Sequence, residues 1–182
     1  ENEINLPNRK EFLEDNKNNK FNKVAIFDIN GFGNINHYYG YDFGEKVLKV
    51  ISLRLENKFL NSKIYYLGAD IFASASSEDI SKDKFIQTIK SIIWYFGYSP
   101  IELDGFRVYI PLRVGVALNY PELLFSAEFA LKQTRVIKHN LVIYDGEQQH
   151  FCHPNSLSIE QDLYWEAQII QAIKRDRFEI FA

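Results

Sequence analysis

At 182 residues and 46% hydrophobic content, the chain is long enough to bury a sizeable core, which excludes wholesale disorder. A net charge of −3 excludes general electrostatic attraction to a nucleic acid polymer, so any anionic ligand must be held locally. The single cysteine, Cys152, excludes an internal disulfide or a multi-cysteine zinc site and fits a reducing cytosol. No apolar run reaches the roughly 18 residues of a membrane span and no signal peptide opens the chain. The expected compartment is the cytoplasm, membrane anchorage of a longer protein requiring a segment absent here. The sequence begins abruptly, as an excised piece would.

In chain order, Asn8 caps a short first helix that runs to about Asn16, with Phe12 and Leu13 as its buried side and the polar run Asn16 to Lys20 as its end. Val24-Ala25-Ile26-Phe27 is apolar on consecutive positions, which predicts a central strand covered on both faces, with Asp28 emerging at its C-terminal end. A helical turn over Asn34 to Tyr39 precedes a helix over Asp42 to Phe59, whose residues Phe43, Val47, Ile51, Leu55 and Phe59 fall on one stripe. Asn36 and Glu45 stand on the polar approaches to that helix.

Ile64 to Ser74 reads as a β-hairpin with Gly68-Ala69-Asp70 at its tip. If this hairpin lies beside the first strand, Asp28 and Asp70 reach one sheet edge, where paired carboxylates suit a hard cation. Both acids also read as ordinary strand-end turn formers, and Asn36 and Glu45 as a helix cap and a solvated charge. Ser81 caps a helix to about Phe96, with Phe85, Ile89, Ile92 and Phe96 inward. Asp104-Gly105 turns the chain into a long strand over Phe106 to Leu118, in which Pro111 requires a bulge or an edge. A helix opening at Pro121-Glu122 turns Leu124, Ala127, Leu131 and Thr134 inward, and Leu141 to Tyr144 is the last strand of the body. The fold class is α/β (α+β), a mixed, largely antiparallel central sheet flanked by helices. The stretch 148–158 reads as a linker, and Ile159 to Arg175 as a helix followed by the start of a strand.

Four ordered blocks carry a resemblance. Leu6-Pro7-Asn8-Arg9 with Phe12 is similar to L-P-N-R-x-x-F. Asp28 to Gly40, followed by Gly44-Glu45, is similar to D-x-D-x-F-K-x-I-N-D-x-x-G and G-D. Leu67-Gly68-Ala69-Asp70-Ile71-Phe72 is similar to L-G-G-D-E-F, and Ala127 to Arg135 to A-D-x-A-L-Y-x-A-K. Together they resemble the GGDEF domain, the family of diguanylate cyclases that condense two GTP into cyclic di-GMP, with a nucleotidyl-cyclase/ferredoxin-like fold. The segment 159–182 resembles the opening of an EAL domain, the cyclic di-GMP phosphodiesterase. The implied organisation is 1–147 a GGDEF domain, 148–158 a linker and 159–182 the start of an EAL-like domain. The resemblance also implies Mg2+ on Asp28, Asp70 and the backbone of Ile29, guanine on Asn36 and Glu45 with Phe32 beside them, and phosphate on Arg135.

The signature is degenerate. Ile71 stands for its second acid and Ala69 for its second glycine, where a Cβ costs roughly 1 kcal/mol or more if φ is positive. Gly33, Tyr66 and His139 stand where the family has Lys, Arg and Arg, and Phe59-Leu60-Asn61-Ser62 occupies the place of the inhibitory R-x-x-D. Phosphoryl transfer depends on placed positive charge and metal. The expected function is therefore a non-cyclising regulatory module in cyclic di-GMP signalling, with Asp70 vestigial, GTP or another guanine nucleotide as ligand, and a C-terminal EAL domain as partner. An active diguanylate cyclase and a structural homodimerisation module that binds no nucleotide are the alternatives.

Overall fold

The computed structural model describes residues 4–19, 21–59, 62–77, 80–119, 121–145 and 150–152. The expected EAL opening at 159–182 lies outside the described residues.

Helix α1 (Arg9–Asn19) opens on a reciprocal cap. Asn8 Oδ1 accepts from the backbone N–H groups of Lys10 and Glu11 at 2.9 and 3.2 Å, and the Glu11 carboxylate accepts from Asn8 N–H at 2.7 Å. The helix continues past the expected end at Asn16, because Lys is a good helix former and Asn a weak one but not a breaker, and Lys17 complements the dipole of the last turn. Of the pair, Phe12 is buried and Leu13 is 47% exposed, since consecutive helical residues point about 100° apart and Leu13 falls outside the buried face of α1.

Strand β1 (Lys23–Ile29) is buried along its whole length, as the consecutive apolar run predicts. It leads through α2 (Phe32–Tyr39) and α3 (Tyr41–Lys58) to the hairpin of β2 (Lys63–Gly68) and β3 (Ile71–Ser76). Helix α4 (Lys82–Tyr98), capped by Ser81, is followed by β4 (Ile101–Leu103), β5 (Phe106–Val108) and β6 (Leu112–Leu118). The single strand expected from Phe106 to Leu118 is thus two. Pro111 has no N–H for a ladder, and its carbonyl instead accepts from Asn30 N–H at 2.9 Å. β4 and β5 form their own two-stranded sheet through Asp104-Gly105, with φ of 51° and 83°. Helix α5 (Leu123–Ile137) then leads into β7 (Leu141–Asp145), and His150–Cys152, expected as linker, forms β8 against β7.

The six-stranded sheet has the order β2-β3-β1-β6-β7-β8. Every pairing is antiparallel except β6 with β7, which α5 connects as a crossover. Strand alternation divides β1 between two cores. Ala25, Phe27 and Ile29 face the stripes of α3 and α4, including Phe43, Val47, Ile51, Leu55, Phe85, Ile89 and Phe96. Val24 and Ile26 face α1 and α5, with Phe12, Tyr65, Ala127 and Leu131. Each buried large side chain contributes roughly 1.5–3 kcal/mol of transfer free energy. On the α5 side β6 presents only Arg113, Gly115 and Ala117, and the missing side chain at Gly115 admits the backbone of α5 at Ala127 and Leu131. This close seating brings the last turn of α5 over the end of β1.

Candidate functional site

The register fixes the centre of the site. Asp28 of β1 lies opposite Ile71 of β3 on one side and opposite Arg113 of β6 on the other, so the three form one row across the sheet. Alternation turns this row toward α5. Asp28 is 1% exposed, and its charge is met by two guanidinium groups. Arg113 Nε and Nη2 donate to Oδ2 at 2.9 and 2.7 Å, and Arg135 Nη2 approaches both oxygens at 3.3 and 3.4 Å. A two-nitrogen grip of this kind is among the strongest charge-assisted arrangements a carboxylate finds. Burying Asp28 without it would be costly.

Asp70 sits at the hairpin tip, where a bulge between Tyr66 and Gly68 re-aims the chain. Gly68 has φ 106° and Ala69 φ 53°, so the residue in the signature's second glycine position does carry a left-handed backbone. Two hydrogen bonds hold the tip: Ile29 N–H donates to Asp70 O at 3.3 Å, and the Tyr66 hydroxyl donates to Ala69 O at 2.8 Å. Burial, and after it the charge of Asp28, raises the Asp70 carboxyl above its ordinary range, against the weaker pull of the tip's own backbone and the two arginines. The Tyr66 phenol is likewise raised, first by burial and then by the charges of Asp70 and Glu45. Tyr66 therefore lies within electrostatic reach of both acids.

A second group forms where α2 meets α3. Phe32, the first residue of α2, is buried in the core, and the Asn36 side chain lies against Gly44 so closely that any Cβ at Gly44 would collide with it. Asn36 Oδ1 is buried yet accepts no hydrogen bond among the described residues. An orphaned acceptor beside the exposed acid Glu45 pairs an amide with a carboxylate, a donor and acceptor set that matches a nucleobase edge. Between α1, α5 and the hairpin lies a cleft of about 370 Å³, lined by Arg9, Leu67, Ile71, Glu128, Lys132 and Arg135. Arg9 bonds Glu128 at 2.6 Å across it.

The fold thus gathers Asp28, Asp70, Ile29 and Arg135 at one sheet edge, and Phe32, Asn36 and Glu45 at the neighbouring helix junction. Arg113 is the residue that sequence reasoning passes over. Its signal is a lone arginine in the otherwise apolar run Leu112 to Leu118, but its target, 85 positions earlier, appears only with the β1–β6 register. A divalent cation does not fit this edge as it stands. The buried carboxylate oxygen that would ligate it carries two arginines, and the facing position on β3 is an isoleucine, whose side chain offers no oxygen. No group of three or more His, Cys, Asp or Glu residues gathers among the described residues.

No family model matches the chain. A cyclic di-GMP phosphodiesterase of Pseudomonas aeruginosa, NbdA, is 27% identical over 166 residues, which is 86% of this chain; the chain spans only 20% of that protein. Among solved structures, the GGDEF domain of Pseudomonas aeruginosa TpbB (YfiN) is similar with a TM-score of 0.65 at 27% identity, over 78% of this chain and 91% of that one. The GGDEF domain of Pseudomonas aeruginosa FimX shares the fold with a TM-score of 0.68 at 17% identity, over 78% of this chain and 95% of that one. With this strand order and the four sequence blocks laid along it, the chain has the fold of the GGDEF domains.

Proposed function

We propose that the chain is a non-cyclising GGDEF domain that serves cyclic di-GMP signalling by binding a guanine nucleotide and regulating an adjoining phosphodiesterase domain of the EAL type. The observation that carries this reading is the row Ile71–Asp28–Arg113: where a cyclase needs a second acid the chain has a hydrocarbon, and the first acid is already neutralised. Loss of an acid and of placed phosphate-facing cations costs orders of magnitude in rate for a reaction that runs on electrostatic placement. Base recognition is better preserved, because the orphaned Asn36 acceptor and Glu45 need neither metal nor phosphate contacts to read guanine.

The adjoining domain is supported by the likeness of 159–182 to an EAL opening and by the phosphodiesterase named among the relatives. Incubation with GTP and Mg2+, followed by chromatography, tests the first half. The expected result is no cyclic di-GMP; product that accumulates with time and vanishes in Asp70→Ala refutes it. Titration with GTP and ATP tests the second half. Selective GTP binding, weakened in Asn36→Ala, is expected, and equal binding of both nucleotides refutes guanine recognition.

A further inference from the structure

We infer that Arg113 supplies a built-in cation at the sheet edge, so that this site takes no divalent metal and any guanine nucleotide binds here without one. Three observations combine. Arg113 grips Asp28 Oδ2 through two nitrogens, with only 21% of its side chain exposed, so it is held in place and not a wandering surface charge. Arg135 reaches the same carboxylate from a different element, α5, and adds a second positive charge. On the opposite side of Asp28, the directly paired Ile71 offers a hydrocarbon side chain and no further carboxylate.

The substitutions compensate one another. A buried aspartate without metal needs a cation, and the neighbouring strand provides one at the directly paired position. A metal arriving at Asp28 would have to displace a charge-assisted pair and then sit beside two guanidinium groups, with Asp70 as a second carboxylate within electrostatic reach. Arg135 is mostly exposed and lines the cleft, so it can meet a nucleotide phosphate while Arg113 stays on Asp28. Exclusion of the cation follows from the geometry alone, whereas metal-free nucleotide binding rests on the guanine reading above.

Mn2+ as the probe, followed through the electron paramagnetic resonance signal of the free ion, tests the exclusion without nucleotide. The unaltered chain is expected to leave millimolar Mn2+ free. The Arg113→Ser/Arg135→Ala variant is expected to gain affinity by about tenfold or more, the scale on which a neighbouring group changes metal binding, and to lose it again when Asp28→Asn is added. Binding of Mn2+ by the unaltered chain that disappears in Asp28→Asn overturns the inference, whether or not the arginine variant folds. In parallel, GTP titrated in EDTA and in Mg2+ should give the same affinity within about twofold, well under one decade in Kd. Tighter binding by tenfold in Mg2+ overturns the metal-free part, and no GTP binding in either medium sinks the nucleotide reading while the Mn2+ result stands on its own.

Discussion

Gly115→Ala should be the most damaging small substitution in the α5 layer. A Cβ built there lies 2.7 Å from Leu131 Cα and closer still to Leu131 N and Ala127 O, all of them backbone atoms that cannot rotate away. Reaching the 3.4 Å at which ordinary van der Waals contact begins moves α5 away from β6 by about 0.7 Å at the Leu131 Cα alone. Overpacking of this kind costs about 1–3 kcal/mol, and the rigidity of the neighbours puts it near the upper end. For a chain of this size that is a fall of about 6–12 °C in Tm. The shift also carries Arg135 off Asp28, where its contacts are already 3.3 to 3.4 Å. Differential scanning fluorimetry with urea titration reads the stability. Gly33→Ala is the control: nothing lies within 4 Å of a Cβ there, in the first turn of α2, so no loss and a gain of up to about 0.5 kcal/mol is expected. A Gly115→Ala variant within about 2 °C of the unaltered chain would show that α5 is not seated on β6 as described.

Three other outcomes are expected. Asp70→Asn should raise the urea midpoint at pH 7: the folded carboxyl is held above its ordinary value of 3.8, so the ionised form opposes folding and the variant's gain fades as pH falls toward that value; an unchanged midpoint at neutral pH counts against the burial of this acid. Ala69→Gly relieves a left-handed alanine at about 1–2 kcal/mol but gives back most of that in chain entropy, for a net gain of about 0.5 kcal/mol in chemical denaturation and no cyclase activity; a clear loss of stability would refute the φ assigned to the tip. Tyr65→Phe removes a 2.8 Å hydrogen bond from a fully buried phenol to Asp15 and should cost about 1–2 kcal/mol. Asp15 is held below its ordinary value, first by its hydrogen bond to Lys63 and then by Tyr65, so that cost should be present above the ordinary aspartate range and shrink in acid, which denaturation at two pH values checks.

What the residues announce on their own is what depends on near neighbours. The four-residue spacing of Phe43, Val47, Ile51, Leu55 and Phe59, the hairpin tip at Gly68-Ala69-Asp70 and the Asp104-Gly105 turn are local signals, and each appears where the pattern predicts. The failures are of longer range. Leu13 cannot be separated from Phe12 without knowing how α1 sits on β2, and the ladder partner that makes His150–Cys152 a strand is β7. At Pro111 the proline was legible, but not that its carbonyl would serve Asn30 from another part of the chain. The site divides in the same way. Asp28, Asp70, Asn36 and Glu45 stand at motif positions that can be read off, whereas the meaning of Arg113 exists only across a strand pairing.

That pairing has a consequence for how the chain is made. β1 leaves the ribosome before β6, and the arginine that completes its edge is encoded 85 residues later. At roughly 5–20 residues per second, the interval is on the order of 4–17 s, during which the apolar strand Lys23–Ile29 has no β6 beside it. An open apolar edge invites pairing with other nascent chains, and an unpaired charge pointing into the prospective core is one of the devices that discourages it. Asp28 is such a charge until Arg113 arrives. The same carboxylate that anchors the finished sheet thus guards the unfinished one, and Asp28→Leu should raise the aggregated fraction during synthesis even where the purified protein tolerates it.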